Sequence, residues 1–562
     1  MPVAHACRAA AVGILALAFT IHSAAGAVQA KEESMPSAYP ALLQLFERWR
    51  EFERPPMVDG APDYSAAHYA RAAEGLKTLQ HELKAIDRSG FSVSQQIDWE
   101  LVEAEMHGLD FNIRVLQPWA RDPAYYQTVW MAQSDTPAHE GPTNHATCEV
   151  WTYAFPLGEA ARQQMATELS VIPPLLKQAR ANLTGNARDL WIAGISNLQQ
   201  QIEDLDWLRE QTGDHADDPL SEAIADGRRA TVEFVAWLES QSASKTGPSG
   251  VGKEHYSWYR RHVHRVPLDW QQEVDLLQRE LDRAWANLKL EERRNRSLPP
   301  LQAASTAADY DARADAAITR LMRFLSDKEV MPIEDYMEPA AREHLLEFVP
   351  EGERNFFDIV RHYDPLPLFC HWYHWFDLAQ VRDRPHASPI RRGPLLYNIW
   401  DSRSEGMATG VEEMFMHMGL YEDSPRSREI VWIMLAQRAA RGLGSLYAHA
   451  NLMTMEQASQ IHLTWTPRQW MYREPKLLKF EQHLYLRQPG YGTSYVVGKY
   501  LIEQAMARRA KQLEAAGESF VMRDFFAGIN QAGNIPVVLG ARELSGGESE
   551  QWVIGGAASA RQ

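Results

Sequence analysis

The sequence predicts a predominantly α-helical fold, and three observations lead there. Apolar residues recur at three- and four-residue spacing among Glu, Gln, Arg and Ala, as in residues 160–172, 270–290 and 427–449, the pattern of amphipathic helices. Sustained two-residue alternation of Val, Ile and Thr is scarce, which argues against a large sheet. With 45% hydrophobic residues over 562 positions, the chain can bury one large core or two lobes by packing alone.

Taken in chain order, the first segment is a targeting element. A single Arg8 precedes an apolar run over residues 9–21, and the small residues Ala25, Gly26 and Ala27 stand before a polar stretch. This is the charge, core and small-residue order of a secretory signal, and the run is shorter than the ~20 apolar residues a spanning helix needs. Cleavage is expected near Ala27, with no lipobox cysteine placed to acylate the new end. The expected division is a signal peptide over 1–27, a flexible start over 28–35, a helical domain over 36–546 and a flexible tail over 547–562. The Ser- and Gly-rich stretch 241–253 reads either as a boundary between two lobes or as a surface loop, and 296–309, with Pro299 and Pro300, as a connector.

No later segment is apolar enough to span a bilayer, and the mean hydropathy is −0.41. The expected location is the periplasm or the medium. After cleavage only Cys148 and Cys370 remain, enough for one disulfide but not for a disulfide framework. A net charge of −17 sets aside nucleic acid and anionic membrane surfaces, because phosphate binding rests on basic surface.

The densest group of potential ligands is Cys370-His371-Trp372-Tyr373-His374-Trp375-Phe376-Asp377, followed by Glu405, Glu412 and Glu413. If 369–380 is one helix, His371, His374 and Asp377 fall at successive i+3 steps over about 120° of one side. Two imidazoles and carboxylates, with a Glu from a neighbouring helix, make a donor set that suits zinc or another divalent metal. Core histidines hydrogen-bonded beside the aromatics are the structural alternative.

A second string, His139-Glu140-Gly141-Pro142-Thr143-Asn144-His145, contains His-Glu, but Gly141-Pro142 makes it a loop. Zinc hydrolases that use His-Glu hold the pair on a helix, so this string reads as a polar loop able to line a cleft. A third stretch, 487–495, is Gly-rich and leads into a helix expected over 496–511. Its amides suit an anion and its Tyr hydroxyls a developing oxyanion. A turn capped by Thr493 or Ser494 explains it equally.

Several of these segments, in order, resemble the bacterial family known as domain of unknown function 885, over about residues 155–546. They are residues 252–256 leading into 270–290, residues 405–412, residues 438–449 continuing to 455–458, residues 489–498, and the close at 534–546. The family's Glu-Gly-Trp-Ala is matched by Glu405, Gly406, Met407 and Ala408. Its Pro-Gly-x-x-x-x-Tyr turn is matched by Pro489, Gly490 and Tyr495. The resemblance implies a helical, zinc-peptidase-like architecture with a central cleft. The family's metal motif, His-Glu-x-x-Pro-Gly-His with a Gln three positions on, is filled here by residues 371–380. His371 and Gln380 match, Trp372 replaces the Glu that would act as general base, Trp375 and Phe376 replace Pro-Gly, and Asp377 replaces the second His. Ser445 stands where the family has an Asp ahead of His449.

An indole cannot take a proton from water, so a surviving hydrolase needs another base. The expected assignments are His371, His374, Asp377 and Glu405 on the ion, Glu412 as base, and Tyr495 or His449 at the oxyanion. The substrate would be a small peptide or other small ligand. The alternative is a non-catalytic periplasmic relative that binds a peptide or another ligand through the aromatic cluster. A third class, a glycan enzyme using two carboxylates, has only the 18 Trp residues and the surplus of acids behind it.

Overall fold

The computed structural model describes residues 38–213, 215, 218–471 and 475–547. The signal segment 1–27, the stretch 28–35 and residues 548–562 of the tail lie outside them. The described chain is predominantly α-helical, as the apolar spacing predicts. Among the described residues the strands are two short pairs, Met57–Val58 with Ala61–Pro62 and Val129–Trp130 with Cys148–Glu149. The second pair is parallel and closes the loop that carries His139 to His145.

The helices start where local chemistry starts them. Asp269 accepts from the Gln272 amide while the Gln272 side chain accepts from the Asp269 amide, a reciprocal cap on the Trp270–Arg294 helix. Ser92 and Gln95, and Thr454 and Gln457, do the same for Val93–Phe111 and Met455–Trp465. The expected helix over 160–172 ends at Leu169, and a new one, Ile172–Asn182, begins with Pro173 and Pro174. Proline has no amide hydrogen to continue the earlier ladder but suits a first turn.

Among the described residues two large apolar cores form, beside two small clusters. One gathers residues between Leu42 and Leu116 and between Val251 and Leu539. The other gathers Ala61, Tyr64 and residues from Trp119 to Leu238. The stretch 241–253 follows the last residue of the second core and includes Val251 of the first. Cys148 and Cys370 are free, buried thiols, so the disulfide that two cysteines allow is not formed.

At the centre, Asp401–His417 lies against Tyr491–Ala515, and Ser427–His449 packs on both and on Trp270–Arg294. Glycines permit this closeness. A Cβ on Gly406 would come within 2.4 Å of Gly498 Cα, and one on Gly498 within 2.1 Å of the Ser402 carbonyl. The spacing that reads as a family motif is thus a helix crossing in which two backbones touch.

Candidate metal centre

The segment expected as one helix over 369–380 is broken. Pro365–Cys370 ends at His371, and a new helix, Tyr373–Asp383, begins after Trp372. The break turns the His371 ring edge-on to His374, with centroids 4.8 Å apart. Both imidazoles reach Glu405 on the Asp401–His417 helix: His374 Nε2 lies 3.1 Å and His371 Nε2 3.6 Å from Glu405 Oε2. Donor atoms of the three residues all fall within 4.8 Å of one another. Bonds of about 2.0–2.1 Å in a tetrahedral zinc site put ligand atoms roughly 3.3 Å apart, so the two His–Glu separations fit one shared ion.

The outer ring atoms are held as ligating histidines require. His371 Nδ1 lies 3.0 Å from Glu412 Oε1 and 3.2 Å from Arg438 Nη2. Arg438 clamps Glu412 with two bonds of 2.6 and 2.7 Å. His374 Nδ1 meets Ser404 Oγ at 3.1 Å. His371 Nδ1 thus faces Glu412 and Arg438 while Nε2 faces Glu405. Burial opposes a charge on His374, but Glu405 first and then Asp135 outweigh it and raise its pKa to about 9. Burial works against the Glu405 carboxylate too, and the two imidazoles overcome it and hold it well below the usual range. A proton on His374 thus balances the charge of Glu405.

A second carboxylate reaches the same spot from the loop. The Tyr491 hydroxyl contacts both Glu405 Oε1 and Glu140 Oε1, and Tyr495 donates to it at 3.2 Å. A phenol has one proton to give, so both carboxylate contacts are satisfied only when Glu140 carries a proton of its own. Burial chiefly, then the charges of Asp135 and Glu405, push the Glu140 pKa up to about 8. The loop is held in place by Arg487, which pairs with Asp122 at 2.6 Å and donates to the Pro142 carbonyl at 2.7 Å. Gln488 accepts from the Gly141 amide at 2.5 Å. Beyond Glu140 opens a cavity of about 830 Å³ whose wall includes Trp130, Asp135, Trp372 and Trp375.

Of the residues expected from sequence, His371, His374 and Glu405 converge, with Glu412 behind His371 and Tyr495 behind Tyr491. Asp377 does not join them. It faces Arg403 instead, which binds its two oxygens at 3.0 and 3.2 Å. Glu412 is committed to Arg438, and His449 Nε2 to the Tyr485 carbonyl at 2.7 Å. The 487–495 stretch is not an open anion loop, because the helix already starts at Tyr491, with Gly490 at φ +92° as its cap. Thr493 and Ser494 bond back to the Gly490 and Tyr491 carbonyls inside that first turn and do not cap it. Glu140 and Tyr491, noted in sequence only within a cleft-lining loop and a Gly-rich stretch, also belong to the site. His139-Glu140 was the available signal, but only tertiary contact carries a loop carboxylate to a helix face.

No family model and no curated protein matches the chain, so the likeness to domain of unknown function 885 rests on the motifs alone. The fold is similar to two solved structures. One is a candidate lipoprotein of unknown function from Shewanella oneidensis, 16% identical, with a TM-score of 0.65 over 90% of this chain and 97% of that one. The other is a candidate lipoprotein from Colwellia psychrerythraea, 12% identical, with a TM-score of 0.61 over 90% and 97%. At these identities the likeness is one of fold. Among the described residues no helix is long and apolar enough to cross a membrane.

Proposed function

We propose that this protein is an exported metal-dependent hydrolase of small peptides or amides, with His371, His374 and Glu405 holding zinc or another divalent ion. The observation that carries the reading is the convergence of two imidazoles on one Glu405 oxygen, 3.1 and 3.6 Å away, each ring oriented from behind. Export is supported by the signal-like N-terminus and by fold relatives described as candidate lipoproteins.

An ion bound there supplies Lewis acidity to a carbonyl and to water. The remaining work falls to the chain. Glu140, with a pKa near 8, exchanges a proton close to neutral pH, where acid–base catalysis is most effective. It takes the place of the general base that Trp372 cannot be. Tyr491 orients Glu140 and Glu405 toward each other, and Tyr495 fixes the Tyr491 hydroxyl. His371 is held by Glu412 and Arg438, so its free nitrogen does not swing away.

The test is elemental analysis of the purified protein, prepared without chelator, beside a His371→Ala, Glu405→Gln double variant and a Glu140→Gln variant. The expected result is about one ion per chain in the parent and in Glu140→Gln, and none in the double variant. Glu140→Gln is expected to lower turnover of a peptide or amide substrate by about 10²-fold or more. Absence of metal from the parent after dialysis against zinc and manganese overturns the reading. Trp372 in the family's base position favours the second reading, ligand binding without turnover, which that outcome would leave standing.

A further inference from the structure

The cavity of about 830 Å³ beside Glu140 is large enough for a peptide-sized ligand, and its wall has a particular chemistry. Three indoles line it, each fixed by stacking: Trp375 on His344 at 3.4 Å, Trp372 on Phe369 at 3.7 Å, and Trp130 on His139 at 3.9 Å. Fixed aromatic faces attract a cation when it is drawn out of water.

Acidic groups share the wall. Among the described residues lining the cavity, Asp135 and Asp204 make no ion pair. The cationic side chain there, Arg487, is already bound to Asp122. Asp204 is only 8% exposed, yet what it receives is one bond, 3.1 Å from the Gln200 amide. A buried carboxylate without a cation is costly, and such groups are ordinarily paired. In this molecule several other central carboxylates are: Glu412 with Arg438, Asp377 with Arg403, Glu273 with Arg260.

An independent observation points to the same space. His483 lies in the cavity wall, 4% exposed, and its Nε2 has no hydrogen-bond partner. A buried ring nitrogen in that state lacks a ligand group or a water.

We infer that this cavity binds a ligand bearing a positively charged nitrogen, an ammonium or guanidinium seated between the indoles and the Asp135 and Asp204 carboxylates. That this ligand is a substrate rests on the hydrolase reading; that it binds does not. The candidate class is therefore peptides or amides with a basic group, and acidic peptides are excluded by like charge.

The test separates the two. Binding is measured by calorimetry on the full protein in the presence of chelator, so that neither metal nor turnover contributes. The probes are acetyl-Ala-Lys-Ala-amide and the same peptide with acetyl-lysine, which differ by one charge. The expected result is at least tenfold tighter binding of the lysyl peptide, with the preference reduced on raising salt. Asp135→Asn, on the partly exposed side of the wall, is expected to cut the preference severalfold, and Trp375→Leu to weaken the lysyl peptide more than the neutral one. Equal or tighter binding of the acetyl-lysine peptide by the parent protein overturns the inference. A clear lysyl preference in a protein that takes up no metal would sink the hydrolase reading and leave the cation site intact.

Discussion

The side chains at the centre differ in how far each is free to act. Glu412 shows this best. It touches no partner ion site directly, but its Oε1 lies 3.0 Å from His371 Nδ1 and Arg438 fixes its plane. It is a positioning residue. Glu412→Gln keeps the shape and loses the charge that favours Nδ1–H, and removal of such an outer partner typically weakens metal affinity about 10–100-fold. Competition with a metal-sensitive dye reads that change, and unaltered affinity would show that His371 needs no orienting carboxylate. His449 makes a different case. Burial lowers its pKa to about 4, the Tyr485 carbonyl countering only in part. The unfolded chain, with an ordinary His near 6.5, binds the extra proton between pH 6.5 and 4, so stability is lost as the pH falls through that window. The loss attributable to this group is about 3 kcal/mol at most. Urea unfolding at several pH values, with chelator present, should show a shallower acid slope in His449→Gln than in the parent.

Among the elements, the helix crossing at Gly406 and Gly498 decides where Glu405 stands. With no Cβ on either side the two backbones meet, and Glu405, next to the contact, is carried to His371 and His374. Gly498→Ala forces a methyl against the Ser402 carbonyl at 2.1 Å, a contact that only helix displacement relieves. Overpacking of this kind costs about 1–3 kcal/mol. The expected outcome is a lower urea midpoint together with weaker metal retention, since the same displacement moves Glu405. Loss of stability with full metal retention would show that the two helices separate without disturbing the ligands. The second element that matters is the loop closed by Val129–Trp130 and Cys148–Glu149. Arg487 and Gln488 reach it from the end of the Pro475–Arg487 helix and its following turn, so the loop that bears Glu140 is tied to the element that precedes Tyr491.

For the molecule as a whole, two apolar cores without a disulfide make packing the source of stability. Cys148 sits in the smaller core and Cys370 in the larger one, and burial pushes both thiols far up from their ordinary pKa. A thiol reagent should therefore leave both unreacted in the native protein, and reducing agent should not change the melting temperature. Labelling across a urea series then reports each core separately: one midpoint for both thiols means that the cores unfold together, and two midpoints mean that they do not.

The helical class was legible from apolar spacing because burying one face of a helix imposes that spacing on the chain itself. The helix starts at Trp270 and Ser427 were legible for the same reason, through apolar periodicity. His371, His374 and Glu405 were legible as residue types in a crowded segment. Their convergence was not. The break after Cys370 sets His371 beside His374, while Asp377, on the same helix as His374, is held by Arg403. Glu140 stands 265 positions before Glu405 in the sequence, and no local pattern encodes that approach. Sequence alone determined the elements and their chemistry, since both follow from neighbours along the chain. Tertiary structure decided which carboxylate meets the two imidazoles and which are neutralised by arginine, because electrostatic pairing depends on distances that only packing sets.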